Sequence, residues 1–432
     1  MPVACCPLSS PTTIVISDAG GIIKNKKKEE RMETVVADPA RKRVAVQDST
    51  RSLGIPPEYL QNEALNKRIQ TDLPPNYNFE LPKCLWQIHK HQARRVALQF
   101  PEGLLLFSLQ LASLIEEFGG NGVETVILSD VAYGACCVDD LQAERLGCDY
   151  MIHFGHSCLV PINVTRMRTL YVFVEIEIDA APLVQVLKDN FPQDAGLAFV
   201  GTIQFNGAIC KAKRELEGHF RKVLVPQARP LSAGEILGCT APRLPEDVTA
   251  IVYVGDGRFH LEAMMMANPS IAAYKYDPYT KLCTREEYDH AAMKQDRLGS
   301  IARAQAATHW GVILGAIGRQ GNPAIVSDIV RHLQSRSLPY TLVVMDEEIG
   351  ESRLEKYGEV HAWVQVACPR LSIDWGYTFS KPLLTPFEFN VAMGLVQMPA
   401  DYLPMDYYAR EVQGPWGNYH PRTKDRRLSL NN

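Results

Sequence analysis

Three cysteines of this chain lie in predicted loops at wide and similar intervals. Cys136, Cys239 and Cys368 each follow an apolar run typical of a strand, and each is more than a hundred residues from the next. That interval is the scale of one domain, so three domains could each supply one thiolate to a shared centre. Three thiolates leave one iron of a four-iron cluster without a protein ligand, and a substrate can bind there and receive an electron.

The other cysteines fit this hypothesis less well. Cys158 also follows a strand and stays a rival ligand, whereas Cys137 adjoins Cys136 and cannot easily bind the same centre beside it. Four more are typical of small core residues: Cys84, Cys148, Cys210 and Cys283. The sequence has no C-x2-C pair, which disfavours a zinc finger, and it lacks the C-x3-C-x2-C loop of common radical enzymes that use S-adenosylmethionine.

Composition is that of a large cytoplasmic enzyme. The 432 residues predict about three domains, and the net charge of −4 excludes a strongly basic protein, so we expect no direct nucleic-acid partner. The 11 cysteines show no disulfide spacing, the first residues lack an export signal, and no stretch of about 18 apolar residues predicts a membrane span. We therefore expect reduced thiols in the cytoplasm and no membrane partner.

The elements that must position the cysteines alternate between strand and helix three times. This pattern predicts an α/β fold of three similar domains, with mostly parallel sheets and flanking helices, arranged around one central site. The three-cysteine hypothesis makes that centre an iron–sulfur site. Ligands of such folds bind beyond the carboxyl ends of the strands, where all three cysteines are predicted to lie. The predicted divisions are a largely disordered N-terminal arm with a short helix (1–80), three α/β domains (81–195, 196–309 and 310–400) and a C-terminal tail (401–432), which is either a strap or a flexible end.

Several motifs resemble a known family. They are QFPEGL at 99–104, YGACCVDD at 133–140 and HFGHSCL at 153–159, supported by NYNFE at 76–80, YVFV at 171–174, GTIQF at 201–205, GDGRFH at 255–260, YDPY at 276–279, GRQG at 318–321 and CPRLSIDWG at 368–376. In these motifs the chain resembles subunit 1 of the eukaryotic 2-(3-amino-3-carboxypropyl)histidine synthases, the enzymes of diphthamide biosynthesis. The likeness runs from about residue 55 to about 390, and the motif at 133–140 is its most specific part.

The resemblance implies a [4Fe-4S] cluster held by Cys136, Cys239 and Cys368. Cys136 is preferred to Cys137 because archaeal relatives resemble Gly-Ala-Cys-Asp there. The family transfers the 3-amino-3-carboxypropyl group of S-adenosylmethionine, as a radical, to C2 of a histidine of elongation factor 2, the first step of diphthamide synthesis. The resemblance also implies a heterodimer with subunit 2. It further implies an electron-donor protein as a separate partner.

Two further features are candidates for binding S-adenosylmethionine. Arg370, two residues after Cys368, could pair with the carboxylate of its amino acid end, and the alternative is an interdomain or surface salt bridge. The turn formed by Gly318, Arg319, Gln320 and Gly321 offers backbone N–H groups and an amide, and the alternative is a plain strand-to-helix turn.

Two other classes of function stay open on the sequence alone. One is an iron–sulfur dehydratase or condensing enzyme resembling quinolinate synthase, in which the open iron acts as a Lewis acid without electron transfer. The other is a non-catalytic interaction subunit whose cysteines are structural or hold zinc. Absence of S-adenosylmethionine cleavage by the reduced protein would favour the first class. A colourless protein after reconstitution with iron and sulfide would favour the second.

Overall fold

The computed structural model describes residues 54–423 except 121, 130–133, 158, 163, 347 and 413, together with a two-residue strand, β1 (Val15–Ile16). Cys158, the rival ligand, therefore lies outside the described residues. No helix within these ranges is both long and apolar enough to cross a membrane.

Two short helices precede the first sheet. The segment contains α1 (Pro57–Leu60), α2 (Glu63–Asp72) and β2 (Tyr77–Asn78). The Asn62 side chain accepts a hydrogen bond from the N–H of Leu65 and so caps α2. Leu73 and Phe79 are buried in the core of the first sheet. The part of the predicted arm from residue 54 onward is therefore an ordered extension of the first domain.

The first sheet has four parallel strands in the order β4-β3-β5-β6. The elements of this domain are α3 (Leu81–His91), β3 (Arg95–Gln99), α4 (Glu102–Leu105), α5 (Ser108–Phe118), β4 (Glu124–Leu128), α6 (Asp140–Arg145), β5 (Tyr150–Phe154) and β6 (Arg168–Val172). The short strand β7 (Glu175–Ile176) pairs with β2 in a separate two-stranded antiparallel sheet. The apolar spacing from Leu104 to Phe118 predicts one helix, but the structure has two, because the chain turns between α4 and α5.

The second sheet has the order β1-β12-β11-β10-β8-β9, parallel except for the antiparallel pairings of β12 with β11 and β1. Its elements are α7 (Ala181–Asn190), β8 (Gly196–Gly201), a 3-10 turn (Ile203–Phe205), α8 (Asn206–Leu216), β9 (Lys222–Leu224), β10 (Ala250–Val254), α9 (Phe259–Ala267), β11 (Ala272–Asp277) and β12 (Leu282–Glu286). The residue pattern predicts a long helix from Arg285 to Thr308, but Arg285 and Glu286 are the end of β12 and the helix begins at His290.

The third sheet is parallel throughout, in the order β14-β13-β15-β16. Its elements are α10 (His290–Gln305), β13 (Trp310–Gly315), α11 (Pro323–Ser335), β14 (Tyr340–Met345), α12 (Glu351–Leu354), β15 (Ala362–Val366), α13 (Pro369–Trp375), a 3-10 turn (Gly376–Thr378), β16 (Leu383–Leu384) and α14 (Pro386–Ala392). The predicted class, mostly parallel sheets with flanking helices, is confirmed.

Two helices pack on a different sheet from the one predicted. Leu183 and Leu187 of α7 are buried with Leu197 and Phe199 of the second sheet, so α7 is not part of the first domain. Ile301 of α10 is buried in the third core. The boundaries predicted at 195 and 309 each lie one helix too late, because an amphipathic helix between two sheets can pack on either one.

A buried ion pair fixes α10 to the third domain. The Arg297 guanidinium, 1% exposed, contacts both carboxylate oxygens of Glu388 at 2.6 and 2.8 Å. It also donates to the carbonyl oxygen of Ser372 in α13 at 2.5 Å. Glu388 completes a capping box with Thr385 at the start of α14. This network supports the helix that follows Cys368.

Candidate functional site

The three cysteines that the sequence singled out line one cavity of about 590 Å³. Cys136 follows β4, Cys239 lies between β9 and β10, and Cys368 follows β15. The carboxyl ends of strands from all three sheets therefore face a common space. The thiols are also close enough to affect one another's ionisation.

Burial controls the ionisation of two of these thiols. It raises the pKa of Cys239 well above its usual value and that of Cys368 to about 12, and the neighbouring thiols add to both shifts. The pKa of Cys136 is lowered instead, first by the hydrogen bond from the Cys137 thiol and then by those from Gln320 and Tyr408. Cys136 is therefore the thiol that ionises most readily.

Cys136 and not Cys137 faces the cavity. Cys137 is 3% exposed and does not line this space, although its sulfur lies 3.6 Å from that of Cys136. The pKa of Cys137 is raised, chiefly by its hydrogen bond to Cys136 and by burial. A neutral Cys137 thiol thus acts as a donor to its neighbour.

Gln99 holds the Cys136 loop from the end of β3. Its Nε2 donates to the carbonyl oxygen of Cys137 at 2.7 Å, and its Oε1 accepts from the N–H of Asp139 at 3.1 Å. His153 lies 2.8 Å from the same Oε1. Sequence reasoning assigned no role to Gln99, yet a glutamine at the end of an otherwise apolar strand is a signal that could have found it.

The turn of Gly318–Gly321 lies behind the Cys136 loop and does not line the cavity. The N–H of Arg319 donates to the carbonyl oxygen of Cys136 at 2.9 Å, and its guanidinium contacts both oxygens of the buried Asp140. The Gln320 amide lies 3.3 Å from the Cys137 sulfur.

Both glycines of this turn are required by close packing. A Cβ at Gly318 would lie 2.5 Å from the Cα of Cys137, and its φ of +52° is in the left-handed region. A Cβ at Gly321 would meet the carbonyl oxygen of Gly315. Gly318, Arg319 and Gln320 therefore contact the Cys136 loop, and Gly321 packs against the end of β13. The assignment of these four residues to S-adenosylmethionine stays a prediction.

Cys368 stands at the N-cap of α13. The backbone N–H groups of Arg370 and Leu371 face its thiol and lower its pKa, although burial outweighs them. Gln365, at the end of β15, donates to the carbonyl oxygen of Cys368 at 2.8 Å. A glutamine thus holds two of the three cysteine loops. Gln99 of β3 holds the Cys136 loop, and Gln365 of β15 holds the Cys368 loop.

Arg370 forms the interdomain salt bridge that the sequence left open as its alternative role. Its Nη2 lies 2.6 Å from Glu262, and its Nε lies 2.8 Å from Asp374. Its Nη1 donates to the carbonyl oxygens of Gly238 and Phe259 at 3.0 and 2.9 Å. Four of its five N–H donors are thereby committed to protein partners. Although Arg370 borders the cavity, this arrangement positions the Cys239 loop and leaves little capacity for a substrate carboxylate.

A C-terminal strap, residues 401–423, covers the cysteines from another side. Tyr407 and Tyr408 are buried in a cluster with Cys136 and Cys239. Asp406 anchors the strap by accepting a hydrogen bond from the Thr240 hydroxyl, next to Cys239, at 3.1 Å. Of the two descriptions left open for this tail, the strap is the correct one as far as residue 423.

The rest of the cavity wall carries neutral imidazoles. The pKa of His156 and that of His260 are each lowered to about 4, mainly by burial, and that of His153 is also lowered well below its usual value. His153 lies 3.2 Å from His156, so the two rings form a chain that begins at Gln99. The sequence predicts that His153 and His156 lie in the core or around the ligands, and in the structure both border the cavity together with His260.

The donor set suits a cluster better than a single ion. Within the described ranges, no three His, Cys, Asp or Glu side chains lie close enough together to hold one metal ion. The thiols nevertheless surround one buried space, and a four-iron cluster spreads its ligands several ångströms apart. The buried Tyr407 hydroxyl, which lies near Cys239 and Cys368, also lacks a hydrogen-bond partner among the described residues.

Comparisons with known proteins agree with this geometry. A model of the diphthamide synthesis protein family matches residues 100–403. The 2-(3-amino-3-carboxypropyl)histidine synthase subunit 1 of Bos taurus is 51% identical, over 86% of this chain and 84% of its own. The protein of that name from Homo sapiens is 50% identical, over 85% of this chain and 83% of its own.

Solved structures show the same fold. Dph2 from Pyrococcus horikoshii is 28% identical with a TM-score of 0.62, over 78% of this chain and 96% of its own. The structure of that protein with a 4Fe-4S cluster is 27% identical with a TM-score of 0.62, over 79% of this chain and 97% of its own. The chain therefore belongs to the diphthamide synthesis family, in its 2-(3-amino-3-carboxypropyl)histidine synthase subunit 1 branch.

Proposed function

We propose that this chain is a [4Fe-4S] enzyme that transfers the 3-amino-3-carboxypropyl group of S-adenosylmethionine to C2 of a histidine of elongation factor 2. The observation that carries the proposal is the convergence of Cys136, Cys239 and Cys368, one from each domain, on one cavity. The names of the relatives and the cluster in the archaeal structure support it.

The three thiolates would hold the cluster and leave one iron facing the cavity. When bound, such a cluster supplies one electron to the sulfonium of S-adenosylmethionine and thereby allows the aminocarboxypropyl radical to form. The protein's part is to fix the three sulfurs across its domains. Gln99, Arg319 and Arg370 do this by binding the backbone or flank of the cysteine loops.

The cavity also suits the cosubstrate. Its volume of about 590 Å³ is that of a typical small-molecule site. Aromatic rings such as Phe259 and Tyr279 can contact the adenine and the sulfonium, and the carboxylates of Glu102 and Asp256 can attract its positive groups. The imidazoles of His156 and His260 can donate to its carboxylate, because a neutral ring keeps one N–H.

Subunit 2, elongation factor 2 and an electron-donor protein are the proposed partners. A surface for subunit 2 is suggested by β14, an edge strand of the third sheet. Its Leu342 and Val344 are 51% and 62% exposed, and an exposed apolar edge strand is a ready site for another chain. We assign this edge to the heterodimer.

The test is to reconstitute the protein anaerobically with iron and sulfide and to add dithionite and S-adenosylmethionine. The proposal predicts 5′-methylthioadenosine, because the aminocarboxypropyl side is removed, together with a matching mass increase of elongation factor 2. A product of 5′-deoxyadenosine would contradict the proposed bond cleavage. A cluster that forms but does not cleave S-adenosylmethionine would favour the dehydratase class, and a colourless protein would favour an interaction subunit.

A further inference from the structure

The C-terminal strap supplies two tyrosines to the cysteine site. Tyr407 and Tyr408, 1% and 7% exposed, are buried with Cys136 and Cys239, although the family model ends at residue 403. A tyrosine hydroxyl keeps its proton at neutral pH, because its ordinary pKa is about 10. Two neutral hydroxyl donors therefore lie among the three cysteines.

The Tyr408 side chain lies with Cys136 in one buried cluster. It contributes to lowering the pKa of the Cys136 thiol, whose sulfur also lies 3.8 Å from the Gln320 amide. The backbone N–H of Tyr408 also donates to Asp406 at 2.7 Å, and this fixes the start of the tyrosine's turn. The hydroxyl is thus held at Cys136 by a local anchor.

The Tyr407 hydroxyl is buried and has no hydrogen-bond partner among the described residues. The ionisable groups around it are Glu388, Cys368 and Cys239. Both oxygens of Glu388 accept from Arg297, and one of them also accepts from the N–H of Thr385. A buried donor without a partner is uncommon in a folded protein. Tyr407 does not line the cavity, so the candidate acceptors are the sulfurs of the neighbouring Cys239 and Cys368.

The strap is well supported on the side away from the cysteines. Asn322, at the start of α11, donates to the side chain of Asn418 at 2.8 Å and to the carbonyl oxygen of Thr423. Trp416 packs edge-on against Phe387 with ring centroids 4.9 Å apart. The two tyrosines are therefore held in place by the third domain.

We propose that Tyr407 and Tyr408 donate hydrogen bonds to the sulfurs of the cluster site and so set how readily the cluster accepts its electron. This inference rests on the proposed function, because it requires the cluster. Hydrogen bonds to the sulfurs favour the more negative, reduced state and raise the reduction potential, and burial keeps water from the same sulfurs. The tyrosines are positioning residues, since they act through the cysteines.

The thermal stability of the protein without iron separates this inference from a purely structural role of the hydroxyls. Tyr407→Phe removes an oxygen that has no protein partner, so the thermal midpoint of the apoprotein should be unchanged or higher. Tyr408→Phe should lower it slightly because a thiol contact is lost. Tyr419→Phe is the matched control, because Tyr419 belongs to the same strap and its ring lies against Arg410.

The deciding experiment is an anaerobic redox titration followed by electron spin resonance, on reconstituted wild type, the three single variants and Tyr407→Phe/Tyr408→Phe. We expect the double variant to show a roughly tenfold lower ratio of reduced to oxidised cluster at a fixed potential. This corresponds to a reduction potential about 59 mV lower for a one-electron couple. It should also bleach faster in air, while Tyr419→Phe matches wild type.

Wild-type potentials in all variants, with a wild-type cluster present, would overturn this inference and leave the proposed function intact. A wild-type protein that binds no cluster would overturn both. A lower thermal midpoint of the Tyr407→Phe apoprotein with an unchanged potential would show that the hydroxyl is structural and would also refute the inference.

Discussion

The Nη1 of Arg370, two residues after Cys368, lies 3.0 Å from the carbonyl oxygen of Gly238, the residue before Cys239. One guanidinium thus joins two cysteine loops that belong to different domains. The same side chain contacts Glu262 and Asp374, so its charge is balanced within the protein.

Arg370→Ala should therefore reduce the iron content as well as the activity. Removing one partner of a buried ion pair leaves a carboxylate without its counter-charge and lowers the free energy of unfolding by about 3–5 kcal/mol. Iron per chain and the thermal midpoint of the variant measure this effect. Full iron content with a loss restricted to S-adenosylmethionine binding would instead support Arg370 as the carboxylate partner that the sequence predicted.

The turn behind Cys136 provides a second test. Gly318→Ala would place a Cβ 2.5 Å from the Cα of Cys137 at a φ of +52°, so the turn must move away from the loop. We expect a loss of about 1–3 kcal/mol in unfolding free energy and weaker iron retention. Gly350→Ala is the control, because no atom of the described structure lies within 4 Å of its Cβ. Equal behaviour of the two variants would refute this account of the turn.

The interdomain contacts explain why the sequence predicted the cysteines better than their surroundings. Strand-and-loop patterns are local, so β14 and β15 and the positions of Cys136 and Cys368 followed from them. The partners of Arg370 come from α9 and the Cys239 loop, which are close in space but distant along the chain. An arginine beside a cysteine gives no local signal that separates a substrate contact from such a bridge.

The strap and the helix assignments were hard to predict for a related reason. The tail after residue 401 is rich in aromatic, Pro and Gly residues and has no periodic pattern, so only its contacts show that Tyr407 is buried. Helices α7 and α10 have apolar faces that fit more than one neighbouring sheet. Local periodicity predicts that such a helix forms but not which sheet it packs on.

Acid should destabilise the apoprotein through the cavity histidines. The folded pKa values of His156 and His260, about 4, lie below the unfolded value of about 6.5. The unfolded state therefore binds more protons in this range, and stability is retained above pH about 6.5 and lost as the pH falls toward 4. Between pH 7 and 5 we expect a loss of about 1–2 kcal/mol per histidine.

Denaturant unfolding of wild type and His260→Gln at the two pH values measures this contribution. The variant should lose less stability than wild type on acidification, because its side chain does not titrate. An identical pH dependence of both proteins would show that His260 is protonated equally in the folded and unfolded states.

Val344→Lys should weaken pairing with subunit 2. A charged side chain on the exposed face of β14 opposes contact with an apolar partner surface, and Val344 is 62% exposed. Sedimentation of mixed subunits should show at least a tenfold weaker complex, corresponding to about 1.4 kcal/mol. Lys211→Glu, on the second domain, is a control for surface charge. Unchanged pairing of Val344→Lys would place the interface elsewhere.

One thiolate from each domain should hold a single cluster. The most direct measurement is iron per chain, with the electron spin resonance signal of the dithionite-reduced protein, for anaerobically reconstituted wild type and single Cys→Ala variants. The account predicts about four irons in wild type and loss of most of the iron or of the signal in Cys136→Ala, Cys239→Ala and Cys368→Ala. Cys137→Ala should lose much less, and Cys283→Ala, a core control, should resemble wild type. A Cys239→Ala protein with a full complement of iron and an unaltered signal would contradict the claim.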